Sequence, residues 1–488
     1  VYLATIAPGL TFEHHGVDGG DLIAAARTGG IPHPSGYPTY TLLAWFFTQL
    51  PLGTVAFRTN LLSSICAAGA VAFVFLCVED LLPDHWHRPY LAAAAAFTVA
   101  FSPLLWSQAV ITEVYGLLAL FASVLLWLIG RWRVGKSDAY LWVSALLLGL
   151  GLGNHVTLVM AVPGALLALA SQRARLRRMR TLLPALGLFT LGLCIYAYLP
   201  FAASRDPAVN WGDPRVWDRF VWVVTAKQYQ PLAFGLSPEL APGRLSEWAR
   251  MAGDQFGWWG LALALAGGIA WWKRDRRLLL FWLIWASLIG VYAFFYDTID
   301  SHVYLLPVVI ATGLLWALGS HHLIVSLRQR REIYGRITLG ALVLLPALSL
   351  VGHWSDMNLR TDRDVPDYLE ELLDTATPGA LIVVRGDRPT FALWYALFAE
   401  ERRPDLAVVS GPLLAYTWYR NNTRRLYPHI HLPEPTAQGT TIDDMVHLLV
   451  SANVALRPVF ATDPSEAWLR WYDFTPIGNA RFFMVTER

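Results

Sequence analysis

The chain has 488 residues, of which 55% are hydrophobic and only 15% charged, with a mean hydropathy of +0.41. A soluble domain carries roughly a quarter charged residues, so this balance excludes an ordinary soluble enzyme and points to a membrane protein. A net charge of +2 gives no reason to propose nucleic acid as a partner, and Cys66, Cys77 and Cys194, all inside apolar runs, read as packing thiols with no disulfide framework.

In chain order, the opening VYLATIAPG reads as the last turns of a membrane helix whose start is missing. Further spans are expected at about 54–78, 90–106, 111–130, 139–153, 155–170, 182–201, 256–272, 278–296, 302–319 and 335–353. Each is judged against the roughly 20 helical residues that cross a hydrocarbon core of about 30 Å, where a backbone must satisfy its own hydrogen bonds and therefore folds as helix. Many Trp and Tyr sit near the ends of these runs, as an interfacial belt requires. The pair 139–153 and 155–170 is short and broken by GLGLGNH, so it is either two thin spans or a re-entrant hairpin.

Four basic clusters orient the bundle: Arg131/Arg133/Lys136, Arg173/Arg175/Arg177/Arg178/Arg180, Lys273/Arg274/Arg276/Arg277 and Arg328/Arg330/Arg331/Arg336. The spans put all four on one face, which the positive-inside rule makes cytoplasmic. Loop 79–89 is the weak point, with Arg88 its sole basic residue of this kind. The segments 9–53 and 202–255, the turns near 107–113, 154–155 and 297–301, and everything after about 354 then lie outside. That organisation gives a transmembrane domain over 1–353 and a soluble α/β domain over 354–488 on the non-cytoplasmic side. In the latter, VPDYLEELLDTA has the pattern of an amphipathic helix, and ALIVV and LAVVS flank helix 388–400 as a β-α-β unit. There is no GxGxxG to support a dinucleotide site, and there are no convincing internal repeats.

The polar residues that could carry chemistry collect at the outer helix ends. Asp18 and Asp21 stand three apart beside Gly19 and Gly20, where Asp18 either caps a short helix or serves as a general base, or the pair holds a metal or a substrate hydroxyl. A divalent metal is compatible with them but not indicated by any ligand spacing. IPHPSGYP is a fixed turn presenting His33 and Tyr37, and the stretch from Tyr37 to Leu50 is short enough to lie along the interface. Glu113 and Tyr115 open a span, Asn154 and His155 sit at an outer turn, and Asp297 and Asp300 precede His302 and Tyr304 at another. The loop LPFAASRDPAVNWGDPRVW adds Arg205, Asp206, Asn210, Trp211 and Asp213. Arg205, with Arg58 as a second candidate, is placed at headgroup depth, where it either snorkels to lipid or holds a lipid-linked phosphate.

The stretch DGGDLIAAARTGGIPHPSGYPTYTLLAWFFTQLPLGTVAFRTNLLSS resembles the opening of the protein O-mannosyltransferase-like membrane family. WSQAVITEVYGL, GLGLGNHVTL, YLPFAASRDPAVNWGDP, Gln228-Tyr229, PGALIVVRGDRPTFALWY and RPDLAVVS extend the likeness over nearly the whole chain. That family is similar to the GT-C glycosyltransferases. Counting the truncated first helix, the apolar runs give about eleven spans with the N-terminus inside and the C-terminus outside; the resemblance implies that they form a GT-C-like bundle that moves a sugar (mannose or another hexose) from a polyprenyl-phosphate donor to a hydroxyl acceptor at the bilayer's outer surface. It suggests protein Ser/Thr as acceptor, with a cell-envelope glycan or lipid as the alternative. It places Asp18 at the base position and Asp21 where the family usually has Glu; Gly19 and Ser35 also depart from its pattern. Arg205, Arg58 or His155 would face the donor phosphate, and His33, Tyr37, Glu113, Tyr115, Asn154, Asp206, Trp211, Asp213 and Asp300 the substrates. The outer face would be periplasmic or extracellular in a bacterium and the ER lumen in a eukaryote. A lipid-linked sugar flippase and a non-catalytic scaffold are the competing classes; lack of repeats and outer rather than midplane acids argue against the former.

Overall fold

Thr54 starts the first long helix by accepting the Phe57 N–H at 3.0 Å, and the apolar run behind it continues as Val55–Leu81. A computed structural model describes this and the rest of residues 1–434, 440–478 and 482–488. Among the described residues, seven helical segments are long and apolar enough to cross a membrane, or up to eight if a bent pair counts as one. The bent pair is Arg88–Ala100 and Pro103–Ala109, expected as one straight span over 90–106; Pro103 cannot continue the helix, and the axis turns by 67° there. The expected spans 256–272 and 278–296 lie within one helical segment, Ala241–Phe295, which leaves helical geometry at Gly257 and Asp275. Ala139–Leu152 is helical but too short to span alone, and at the chain's start Tyr2–Thr5 forms a single turn.

The bundle has a centre and a lipid-facing rim. The most apolar stretch of Ser301–Arg330 is 78% buried, while those of Met179–Ser204 and Glu332–Gly352 are 17% and 22% buried. Small residues let the central helices meet: a Cβ on Gly319 would stand 1.9 Å from the Leu263 carbonyl oxygen, a backbone approach that only glycine permits. Three of the basic clusters meet at one end. Arg133 forms two 2.9 Å bonds to Asp275, and Arg175 donates to the Trp132 carbonyl at 3.0 Å.

After helix Asp364–Thr375 the chain builds a five-stranded sheet in the order β2-β1-β3-β5-β4, with β1 Leu381–Val384, β2 Ala407–Ser410, β3 Val459–Thr462, β4 Tyr472–Pro476 and β5 Phe482–Glu487. The expected β-α-β unit is present: β1 and β2 pair in parallel, Leu381 opposite Ala407, across helix Asp387–Trp394 and a π-helical turn at Tyr395–Ala399. β3 adds in parallel to β1, and β5 runs antiparallel to β3 and β4.

This sheet unit is seated on the first-loop helix Gly19–Thr28. A Cβ on Gly20 would stand 2.2 Å from the Phe391 carbonyl oxygen, so the contact is backbone against backbone. Gly20→Ala is therefore expected to destabilise the protein by about 1–3 kcal/mol through overpacking, read as a lower midpoint of thermal unfolding in detergent. An unchanged midpoint would show that the two elements separate easily.

Candidate active site

Asp18 ends a short 3-10 turn, Glu13–Asp18, and stands at the N-cap position of helix Gly19–Thr28. It makes no capping hydrogen bond. Its carboxylate instead reaches across to the His33 imidazole, Oδ2 to Nε2 at 3.4 Å, and its side chain keeps 40% of its surface exposed toward a cleft. One turn further on, Asp21 is fully buried. Its Oδ2 accepts the His33 backbone N–H and lies 2.8 Å from His33 Nδ1, while Oδ1 accepts the Trp211 indole N–H at 2.9 Å. Helical spacing puts the two acids on one side, and the Pro-rich turn folds His33 between them. Asp21, His33 and Asp18 thus form a chain running from the interior to the cleft.

The turn is held by the long loop after helix Tyr198–Ser204. Ile31 N–H donates to the Val209 carbonyl at 2.9 Å, and Trp211 N–H donates to the Ile31 carbonyl at 3.2 Å. This short parallel bridge between Ile31 and Asn210 delivers Trp211 to Asp21. Phe391, from the sheet unit, lies nearly parallel to the His33 ring at a centroid distance of 6.4 Å.

The cleft encloses about 350 Å³ and draws on distant parts of the chain. Asp18, His33 and Tyr37 come from the first loop, Tyr115 and His155 from helix ends, Tyr229 from the long loop, Tyr296, Asp300 and Tyr304 from a later turn, and Asp387 from the sheet unit. Its described lining holds carboxylates, imidazoles and phenols but no Arg or Lys. Burial raises the Asp18 carboxyl to about 6, and His33 limits that rise. For His33, burial opposes the charged form, but Asp18 and then Asp21 outweigh it and raise the imidazole to about 9. His155 goes the other way: burial, then the His33 charge, lowers it to about 4. Thr157 N–H donates to His155 Nδ1 at 3.4 Å, which puts the proton of the neutral ring on Nε2. Tyr37 stands between the two imidazoles, 5.1 Å from His33 and 6.1 Å from His155 by ring centroids, and Tyr115 and Tyr304 flank His155 at 5.6 and 5.3 Å.

The structure therefore brings Asp18, His33, Tyr37, Tyr115, His155 and Asp300 together in the cleft. It places the other expected residues elsewhere. Asp21 and Trp211 stand behind His33. Arg58 donates to the carbonyls of Thr48, Leu52 and Gly53, the orphan acceptors of a loop that follows a helix end. Arg205 is exposed past helix Tyr198–Ser204, with its guanidinium 5.7 Å from the Phe201 ring centre. Asp206 and Asp213 pair with Arg215, and Asp213 also with Arg219 at 2.7 Å. Glu113 is buried beneath the cleft, its carboxyl pushed well above the usual range by burial and then by Asp18, and Asn154 donates to the Val114 carbonyl at 3.2 Å. Sequence reasoning did not single out His15, Tyr292, Tyr296 or Asp387, which also line the cleft. Asp387 lies within the motif PGALIVVRGDRPTFALWY, the one signal that could have drawn attention to it.

A bundle of apolar helices long enough to span a membrane, with a cleft of acids, histidines and tyrosines at one end and a small sheet unit beside it, is a polytopic membrane-protein architecture. The structure superposes on ArnT from Cupriavidus metallidurans bound to undecaprenyl phosphate and on the same protein in its apo state, each with a TM-score of 0.62, at 12% and 11% identity. Both matches cover 99% of this chain and 95% of that one, and they show the fold. In sequence, the chain resembles the TMEM260-type protein O-mannosyltransferase family. Residues 18–178 match the model of the protein O-mannosyl-transferase TMEM260 N-terminal domain, and residues 365–433 match TMEM260-associated domain 2. The Mus musculus protein named protein O-mannosyl-transferase TMEM260 is 28% identical over 445 residues, 86% of this chain and 62% of its own length. The Dictyostelium discoideum protein of the same name is 24% identical over 509 residues, 91% of this chain and 60% of its own length. The chain thus spans about three-fifths of these curated relatives.

Proposed function

We propose that the chain transfers a hexosyl group, mannose by its relatives' names, from a polyprenyl-phosphate donor to a hydroxyl of a protein acceptor, on the membrane face away from the basic clusters. The observation that carries this reading is the Asp21–His33–Asp18 chain opening onto a cleft that His155 also lines, with Tyr37 between the two imidazoles. An acceptor hydroxyl loses its proton as it attacks the anomeric carbon, and Asp18 takes that proton. Its raised pKa suits it to do so near neutrality. The sugar sits beside Tyr37, between the two imidazoles. The leaving lipid phosphate then lies on the far side, where His155 Nε2–H and the hydroxyls of Tyr115 and Tyr304 donate to its oxygens. The likeness to ArnT, whose structure was determined with undecaprenyl phosphate, supports a polyprenyl-phosphate carrier.

A base and a leaving group on opposite sides of the sugar give inversion. Product analysis by NMR should show the anomeric configuration opposite to that of the donor, and retention would overturn this arrangement. The pH profile has a definite sign. Activity requires Asp18 deprotonated and His33 protonated, so kcat/KM should rise as pH passes upward through about 6 and fall as it passes about 9. A profile flat from pH 5 to 7 would remove Asp18 from the base role.

A further inference from the structure

At the end of the bundle opposite the cleft lies a second cavity, of about 520 Å³. Helix Tyr115–Arg133 sets the separation: Tyr115 lines the cleft and Arg131 lines this cavity, roughly 24 Å away at 1.5 Å per residue. Its walls combine Trp271 and Trp282 with Arg131, Arg133, Lys136 and Arg274, above an apolar floor. Two of these cations are already matched, Arg133 by Asp275 and Arg131 by Asp80, each at 2.9 Å. The other two are not. Arg274 lies 4.9 Å from the centre of the Trp271 ring, Lys136 is exposed, and neither has a carboxylate partner among the described residues.

Positive-inside topology accounts for basic residues on this face. It does not account for the indoles. Trp271 and Trp282 are 4% and 3% exposed, and both Nε1–H groups, like Nε of Arg131, are buried without a hydrogen-bond partner. Buried donors are normally satisfied. A cavity lined by unmatched cations and unpartnered N–H donors calls for an anionic group rich in acceptor oxygens, and its apolar floor suits hydrocarbon.

We propose that this cavity binds a phosphate-bearing anion, either the headgroup of an anionic phospholipid from the leaflet on this side or a free phosphate. The site stands apart from the sugar-transfer cleft and does not depend on its assignment. The test is native mass spectrometry of the full chain in detergent with phosphatidylglycerol, phosphatidylcholine and inorganic phosphate. Phosphatidylglycerol should be retained in preference to phosphatidylcholine. The double variant Lys136→Gln/Arg274→Gln should lower that retention by roughly thirtyfold, given two headgroup-level cations lost, with sugar transfer unchanged. Trp282→Phe deletes one donor but keeps an aromatic ring there, and should lower retention as well, which keeps the test decisive if the double variant fails to fold. Displacement of the lipid by inorganic phosphate identifies free phosphate as the ligand, and resistance to displacement identifies the headgroup. Equal retention of both lipids, or retention that neither variant lowers, overturns the proposal.

Discussion

Replacing Asp18 by Asn is expected to lower sugar transfer by about 10²- to 10⁴-fold, the usual worth of a positioned general base, while the protein stays folded. The substitution keeps the size of the side chain and an oxygen that can still accept from His33 Nε2, 3.4 Å away in the wild type. It removes the group that can take the acceptor's proton. Asp18 makes no capping bond, so helix Gly19–Thr28 loses nothing with it. The measurement is turnover of a polyprenyl-phosphate mannose donor by purified protein, with the thermal unfolding midpoint as the control on folding. Turnover near that of the wild type, with donor saturating, would sink the assignment. A large fall in the unfolding midpoint would instead make Asp18 structural.

How much of this was legible in the sequence depends on how local each feature is. The first loop was legible because its chemistry and its geometry share one stretch: the two acids fall on one side of a short helix, and three prolines fix the turn that carries His33. Long apolar runs likewise announced the helices, and ALIVV and LAVVS announced β1 and β2. The breaks were less visible. Asp275 interrupts a helical segment inside a run of charges with neither Gly nor Pro beside it, and the bend at Pro103 falls within an apolar stretch that reads as continuous. Strands β3 to β5 are short, and β3 has no alternation to mark it.

Within the cleft, the residues missed are those that only tertiary structure delivers. Asp387 arrives because Gly20 lets helix Asp387–Trp394 pack against the first-loop helix. The phosphate expectation named Arg205 and Arg58 beside His155, because a guanidinium matches phosphate in isolation. Loop carbonyls that no helix satisfies had a prior claim on Arg58, and among the described residues the cleft is lined by histidines and tyrosines rather than by Arg or Lys.

The difference between the two acids gives the second large effect. Asp21 touches no part of the cleft, yet its two oxygens serve three donors: His33 N–H, His33 Nδ1 and Trp211 Nε1–H. Asp21→Ala leaves all three buried without an acceptor and should destabilise the protein by about 3–5 kcal/mol, the range for breaking a buried charged pair from one side. Asp21→Asn is milder and more informative. An amide cannot accept on both sides, so its NH₂ must oppose either the indole or the His33 backbone N–H. Loosening the His33 ring in this way should lower kcat by about 10- to 100-fold, as loss of an orienting partner commonly does. The pH profile separates this from a general loss of structure. Asp21 helps to hold the His33 imidazole up at about 9, through a hydrogen bond and through its charge. Without that carboxylate the ring loses its proton at lower pH, so the alkaline limb of kcat/KM should move down from about 9 in Asp21→Asn. A variant that is merely less stable would keep the limb in place. An unmoved limb would mean that Asp21 acts on stability alone and that the chain from the interior to Asp18 is not used.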